Sequence, residues 1–317
     1  MTEPLQFTVP ATCAHLGPGF GVLGLAVDIS VHITVTEDCE PGHHVVRHGE
    51  MSGAPEDPRH DGILRALETG AEKFQIKLPE ALTITADNSI PAATGLGTSS
   101  AGFAAGFGVA VRYAKEAPPA DELTDLLVHL GGTATHGGAA LYGGLVASCP
   151  VQVAKEMVAH RVFRYPLSQN WRFVLACPRA RIGTADARRV LPARLAHGVI
   201  KRNAGRLLGL LHALAEGDEL LVRRCISDEV HVPYRRRLLP GLHEAILAGE
   251  EAGAAGVTIS GAGPALLALT SDESKAPTIR DAMADALKAA GTEAEFFTVV
   301  ASASGALPAP VEEPAES

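Results

Sequence analysis

Paired cysteines are missing from this sequence. Its five, Cys13, Cys39, Cys149, Cys177 and Cys225, are odd in number, widely separated and never in CxxC spacing. That pattern excludes a disulfide framework or a zinc knot and predicts small buried apolar side chains. Basic charge is also short, with 27 Lys and Arg against 36 Asp and Glu for a formal charge of −9. The basic residues are scattered, so nothing resembles the cationic footprint that a nucleic-acid backbone requires, and nucleic acid is not an expected partner. Apolar runs such as 101–111 and 257–270 are broken by Gly and Pro, well short of the roughly 18–20 residues that span a bilayer. Residues 1–12 lack the basic start and apolar stretch of a secretory signal, so a cytoplasmic chain with reduced thiols and no membrane partner is expected. Among 13 histidines there is no HExxH or similar metal signature, and the one close pair, His43-His44, reads as part of a Pro/Gly-flanked turn.

Core-forming material is plentiful: 317 residues, 46% hydrophobic and 20% charged, suggest roughly two domains. Segments 6–12 and 21–37 read as strands, with Val27, Ile29, Val31, Ile33 and Val35 at period two, flanking the Gly-rich connection His15-Leu16-Gly17-Pro18-Gly19-Phe20-Gly21. A helix is expected over 62–74, a strand over 81–86, a Gly-rich turn at 92–97, a long Ala/Gly/Phe/Val helix to about Lys115, and an amphipathic helix over 121–130. Segment 131–138 reads as flexible, followed by strands at 145–148 and 172–176. The second half alternates helices (about 184–191, 201–216, 218–229 and 240–253) with strands (256–260, 264–270 and 294–301). This mixed order predicts α+β layers rather than a doubly wound parallel sheet. The boundary is placed near Pro150, giving a domain at 1–150, a second at 151–304 and a Pro/Ala/Glu-rich disordered tail at 305–317.

Chemistry concentrates in glycine loops. Gly95-Leu96-Gly97-Thr98-Ser99-Ser100 lies between a strand and a helix, where the backbone can approach an anion and free N–H groups at the helix start face it. The three hydroxyls add donors and suit a helix cap equally well, so an ordinary turn with an N-cap has the same local sequence. No lysine follows the glycines, which excludes a Walker loop. Two further glycine loops, at 16–24 and at Ile259-Ser260-Gly261-Ala262-Gly263-Pro264, exceed what turns alone require.

Pro10-Ala11-Thr12-Cys13-Ala14-His15-Leu16-Gly17-Pro18-Gly19-Phe20, Pro91-x-x-x-Gly95-Leu96-Gly97-Thr98-Ser99 and Ser260-Gly261-Ala262-Gly263-Pro264 resemble the three ordered motifs of the GHMP kinase superfamily. The resemblance covers nearly the whole chain. It implies a two-domain α+β fold, with a ribosomal-S5-domain-2-like N-terminal half, a ferredoxin-like C-terminal half and a polyphosphate site between them. Overall the sequence is most similar to homoserine kinases: 184–192 and His231-Val232-Pro233-Tyr234-Arg235 resemble their substrate-binding segments. The resemblance assigns Thr184, Arg188 and Arg235, with Gly261 and Gly263, to the substrate side. Arginine suits an anionic group because its planar fork donates twice to a carboxylate or phosphate.

The departures set a second expectation. His15 and Gly21 stand where homoserine kinases carry Asn and Asp. Gly131-Gly132-Thr133-Ala134-Thr135-His136 replaces Glu-Gly-His-Pro-Asp-Asn, so the metal-binding carboxylate and the Asp-Asn pair are gone. His15 and Gly131-Gly132-Thr133, together with the Gly95-Leu96-Gly97-Thr98 loop, resemble β-ribofuranosylaminobenzene 5′-phosphate synthases and related C-nucleoside synthases. The expectation they favour is a phosphoribosyl-pyrophosphate-dependent C-riboside synthase joining ribose 5-phosphate to an aromatic acid. An ATP-dependent kinase of homoserine or another small hydroxylated acid, and a non-catalytic GHMP-fold binding protein, are the alternatives. In that reading His15, His136 and Thr133 serve the reaction, 95–100 holds the phosphates, and His15 or His136 exchanges a proton. Mg2+ arrives on the phosphates, with Asp28 the protein ligand chosen ahead of Asp186 and Glu229. The partners expected are a phosphate donor (phosphoribosyl pyrophosphate or ATP) and a small anionic co-substrate. A homodimer is expected from base rate alone.

Overall fold

Period-two burial along the strand Leu23–Thr36 sets the plan of the first half. Ile29, Val31, Ile33 and Val35 are buried on one face while Asp28 and His32 are exposed on the other, as a half-covered sheet requires. In the computed structural model, which describes residues 3–37, 41–50, 58–154 and 157–308, this strand is β2. It follows β1 (Leu5–Ala14) and precedes β3 (Gly42–Gly49), β4 (Ala81–Asn88), β5 (Leu145–Ala154) and β6 (Met157–Tyr165). They form one sheet in the order β3-β4-β2-β5-β6, with β1 also on β2. Only β3 and β4 run parallel among these pairs.

Four helices pack with this sheet: α1 (Gly62–Lys73), α2 (Thr98–Tyr113), α3 (Ala120–His129) and α4 (Ala134–Tyr142). Asp61 caps α1 by accepting from the N–H groups of Ile63 and Leu64. Helix α2 is buried continuously from Ser100 to Ala110 except Gly102, which explains its apolar composition all round.

The second half is an antiparallel sheet of β7 (Arg172–Pro178), β8 (Gly256–Ile259), β9 (Leu266–Thr270) and β10 (Ala294–Val299), in the order β10-β7-β9-β8. Its helices are α5 (Thr184–Arg189), α6 (His197–Glu216), α7 (Glu219–Cys225), α8 (Val232–Arg235), α9 (Leu242–Glu251) and α10 (Ala276–Ala289). One core cluster runs through both halves, joining Val9, Leu25 and Phe107 to Trp171, Phe173 and Leu210. Trp171 is fully enclosed, and its indole N–H donates to the Leu214 carbonyl at 2.8 Å.

The α+β layering matches the expectation, and several details correct it. Strand β5 runs through Pro150 and β6 returns beside it, so the boundary expected at 150 falls inside a hairpin of the first sheet. His43 and His44 lie on β3, not in a turn. Segment 131–138 is largely the start of α4. Two glycines weaken its intrinsic helicity, but Gly137 lies flat against Leu127 of α3, and packing overrides propensity. Residues 305–308, expected in a disordered tail, are anchored: Ala306 is buried, and the N–H groups of Ala306 and Leu307 donate to Ala140 and Leu141. The rest of that tail and Cys39 lie outside the described residues. Cys13, Cys177 and Cys225 are buried as expected, whereas Cys149 is exposed. Among the described residues no helix is long and apolar enough to cross a membrane.

Candidate active site

Three loops far apart in sequence are tied into one wall by short hydrogen bonds. Thr12 N–H donates to Leu96 O at 3.0 Å, and Gly261 N–H to Ala14 O at 3.0 Å. Ser260 Oγ donates to Gly95 O at 2.8 Å, and Ala265 N–H to Thr94 O at 2.7 Å. The end of β1, the 91–97 loop and the 260–265 turn are therefore one unit spanning both halves of the fold.

The wall contains the start of α2. Gly97 is its N-cap at φ 72°, and no side chain caps the first turn, so the leading amides and the positive end of the helix dipole are left for an anion. The six expected phosphate-loop residues divide by role. Gly95 and Gly97 take left-handed φ values of 94° and 72°, which a side chain tolerates poorly. Leu96 is a core residue whose carbonyl anchors β1. Thr98 Oγ1 donates to Pro91 O at 3.3 Å and braces the loop. Ser99 is exposed, and Ser100 is buried beneath the first turn.

His136 sits between two of the loops. Its Nδ1 is 2.8 Å from Thr12 Oγ1, and a Cβ built on Gly261 would fall 2.6 Å from its Nε2. Burial lowers its pKa to about 4, so the ring is neutral at pH 7. His15 is neutral as well, held well below 6.5 by burial and then by His231, His136 and Arg235. Its Nδ1 accepts from Gly21 N–H at 3.1 Å. Both His15 and Leu16 adopt left-handed backbone, with φ of 81° and 45°, a strain of about 1–3 kcal/mol per residue that the surrounding loops must sustain.

Beside His15 lie Phe20 and His231, the three ring centroids 4.7–5.1 Å apart. His231 is fully buried. Its Nε2–H donates to Gly17 O at 3.1 Å, leaving Nδ1 without a partner. Burial keeps its pKa below the usual value although Asp228 acts in the opposite direction. Asp228 accepts from three backbone N–H groups: Val230 to Oδ1 at 2.9 Å, and His231 and Val232 to Oδ2 at 2.7 Å each. That arrangement orients α8 and Arg235. Arg235 is 3% exposed and donates to Ala187 O at 3.1 Å and Gly261 O at 2.7 Å, with its guanidinium carbon 5.2 Å from the Phe20 centroid. Its pKa is lowered to about 10 by burial, Asp228 opposing and Arg188 adding to the shift, so it stays charged at pH 7.

Other expected residues stand elsewhere. Thr133 is the exposed N-cap of α4, its Oγ1 accepting from His136 N–H. The Gly131-Gly132 pair is the α3–α4 connection, and a Cβ on Gly132 would overlap Leu127 at 2.3 Å. The Gly-Gly-Thr likeness thus has a packing cause. Asp28 is exposed in a bulge of β2, where β1 skips from Ser30 to Val27, and its Oδ1 accepts from Val300 N–H at 2.9 Å; that corrects its reading as a metal ligand. Glu229 is taken by Arg202 and Arg206, and Asp186 by Arg189. Thr184 and Arg188 are exposed on α5. Gly263, at φ 84°, shapes the turn before Pro264.

Thr12, Phe20, Asp228, His231 and Asn203 are site neighbours that sequence reasoning left without roles. Asn203 Nδ2 donates to Pro18 O at 2.8 Å, tying α6 to the first loop. The Asp228-x-x-His231 spacing, an acceptor three residues before a helix start, was the available signal. An open hollow of about 440 Å3 lined by Arg164, Tyr165, Trp171 and Arg172 lies elsewhere and includes no residue of the three loops.

The models of the GHMP kinases N terminal domain and the GHMP kinases C terminal match residues 62–144 and 210–289. The chain is 34% identical to the homoserine kinase of Moorella thermoacetica over 286 residues, covering 90% of this chain and 93% of that protein. It is 30% identical to the homoserine kinase of Natranaerobius thermophilus, covering 95% and 96%. A solved homoserine kinase from Cytophaga hutchinsonii superposes with a TM-score of 0.82 at 24% identity, over 95% of this chain and 96% of that one. Full-length similarity to homoserine kinases overturns the phosphoribosyl-pyrophosphate synthase expectation, which stood on local likenesses at His15, 95–98 and 131–133.

Proposed function

Because the chain belongs to the GHMP kinase family, we propose that it is an ATP-dependent phosphotransferase acting on the hydroxyl of a small anionic acid of the homoserine class. One observation carries this reading: the uncapped start of α2 is hydrogen-bonded, through 260–265, to the same wall that Arg235 grips at Gly261 O. Donor phosphates and acceptor acid then meet at a shared rigid element, and proximity supplies much of the acceleration.

In this reading the amides of 95–100 hold the terminal phosphates, and Arg188 and Arg235 hold the acid's carboxylate. The acid's hydroxyl oxygen bonds to the γ-phosphorus as the bond from that phosphorus to the β–γ bridging oxygen breaks. ADP leaves with that electron pair, and the hydroxyl proton passes to a phosphoryl oxygen or to water. A loose phosphoryl transition state makes positioning and charge stabilisation the main requirements. His136, a weak base at a pKa of about 4, serves by bracing Thr12 against the glycine loops.

The residues do not fit a protein-held divalent cation. Among the described residues no group of three or more His, Cys, Asp or Glu side chains gathers, and Asp186, Asp228 and Glu229 are each already engaged. Mg2+ therefore belongs to the nucleotide substrate as Mg-ATP.

The test is ADP release with Mg-ATP and a panel of small hydroxy acids, followed by mass spectrometry of the product. A phosphorylated acid is expected. Nucleotide binding with no ADP formed from any acid would leave a phosphate-binding fold without catalysis and reject the proposal.

A further inference from the structure

We infer that Arg181, Arg194 and Lys201 form a cationic collar that speeds the arrival of Mg-ATP at the glycine-loop wall without binding it, a step that rests on the kinase reading. The distribution of charge leads to this. Segments 10–27, 88–111, 126–154 and 252–271, which build the wall and its surroundings, contain no Asp, Glu, Lys or Arg. The stretch 179–206 carries eight Lys and Arg against one acid, Asp186, in a chain whose formal charge is −9. Basic residues sparse over most of the chain are therefore concentrated in the connection from β7 through α5 into α6.

That connection is moored beside two of the three loops. A Cβ built on Gly263 would fall 3.8 Å from Ile182 Cδ1, and Asn203 Nδ2 donates to Pro18 O at 2.8 Å. The third loop is bonded to the same unit through Ser260 Oγ and Gly95 O. Several of the charges are engaged: Arg179 with Glu295, Arg189 with Asp186, and Arg202 and Arg206 with Glu229. Arg188 faces the acid in the kinase reading. Arg181, Arg194 and Lys201 are exposed and make no ion pair among the described residues. Like charges in so short a stretch repel, so they cost the fold stability rather than supplying it. Charge on this connection is felt at the wall, because Arg188 contributes to lowering the pKa of Arg235. A polyphosphate nearing an uncharged wall inside a positive rim is attracted over roughly one screening length, about 10 Å at 0.1 M salt. Clefts edged by one sign of charge raise association rates by about 10–10³-fold. The uncapped amides of α2 then hold the phosphates.

Stopped-flow association of a fluorescent ATP analogue with Mg2+ tests this on the full chain. Between about 20 and about 300 mM KCl the screening length shrinks from roughly 20 Å to roughly 6 Å, and kon should fall by at least about fivefold. Arg181→Gln, Arg194→Gln and Lys201→Gln combined should slow kon at least about threefold at the lower salt and leave it within about twofold of the parent at the higher. The dissociation rate, kcat at saturation and melting temperature should stay near parental values. Arg181→Lys with Arg194→Lys should keep the parental kon, because steering reads charge whereas a bidentate contact reads the guanidinium fork. A salt-insensitive kon in the parent, or a glutamine variant that associates as fast at low salt, overturns the inference. Faster dissociation from the glutamine variant also overturns it, since the three side chains would then be ligands of the bound nucleotide. Each of these outcomes leaves the kinase proposal standing if ADP forms, which is read separately.

Discussion

Thr12 Oγ1 lies 2.8 Å from His136 Nδ1, and a Cβ on Gly97 would fall 2.1 Å from that hydroxyl. The end of β1, the cap of α2 and the first turn of α4 therefore meet at a point with no spare volume. A glycine is obligatory there twice over, because Gly97 also has φ 72°. His136 fills the space between the phosphate loop and the 260–265 turn, so it holds the cradle in shape.

Gly97→Ala should weaken Mg-ATP binding by at least about tenfold, since the clash must move Thr12, His136 or the helix start. Gly291→Ala is the control: φ is also left-handed at 76°, but nothing lies within 4 Å of its Cβ. Its expected effect is about 1 kcal/mol of stability with nucleotide binding unchanged. Calorimetric titration and urea melts of both variants check this. Equal nucleotide affinity in the two alanine variants would show that Thr12 and His136 do not shape the cradle.

Stability should decline as pH falls through the histidine range. In the unfolded chain His136 titrates near 6.5, whereas folded it holds off protonation to about 4. Between those values the unfolded state binds more protons. The full contribution is therefore present above 6.5 and is lost as pH drops toward 4. The shift corresponds to on the order of 3 kcal/mol for this one residue, and His15 and His231 are shifted the same way. Urea midpoints across pH 4–7.5 should fall with acid, and His136→Gln should flatten part of that slope. An unchanged slope in the variant would place the linkage on other groups.

The two arginines should separate kinetically. Arg188 is exposed on α5, so Arg188→Ala should raise KM for the acid several-fold while leaving nucleotide affinity and melting temperature near the parent values. Arg235 is buried and donates to Gly261 O, within the wall that supports the phosphate loop, so Arg235→Ala should impair acid use, nucleotide binding and stability together. Steady-state kinetics paired with nucleotide titration distinguishes the two patterns.

Most strands and helices were legible because β2 alternates cleanly and α2 is apolar all round. The glycine loops were legible because three strand-flanked clusters have few structural explanations. What escaped the sequence was set by packing between distant segments. Gly137 and Gly138 look like a flexible stretch until Leu127 and Val162 are placed against them. Thr133 and Asp28 carry chemistry-capable groups that the fold spends on backbone N–H groups, that of His136 one turn on for Thr133 and that of the distant Val300 for Asp28. Asp228 was passed over, and His231 entered only as part of the 231–235 segment with no role of its own, because their importance lies in which carbonyl and amides they meet, and residue type alone does not carry that.

Asp228→Asn tests whether the Arg235 grip depends on a carboxylate that never faces the cleft. The acid accepts three N–H groups at 2.7–2.9 Å, whereas an amide turns one of its two terminal atoms into a donor. At least one N–H then faces another donor at the start of α8, and the charge that offsets Arg235 is lost. Breaking charge-assisted bonds of this kind costs about 1.5–3 kcal/mol. Because α8 carries Arg235 and begins at His231, whose Nε2–H holds Gly17 O, the loss should spread to both the acid grip and the first loop. The expected result is a lowered melting temperature with KM for the acid raised more than KM for ATP. A variant with parental stability and an unchanged KM ratio would show that α8 is positioned by its packing alone.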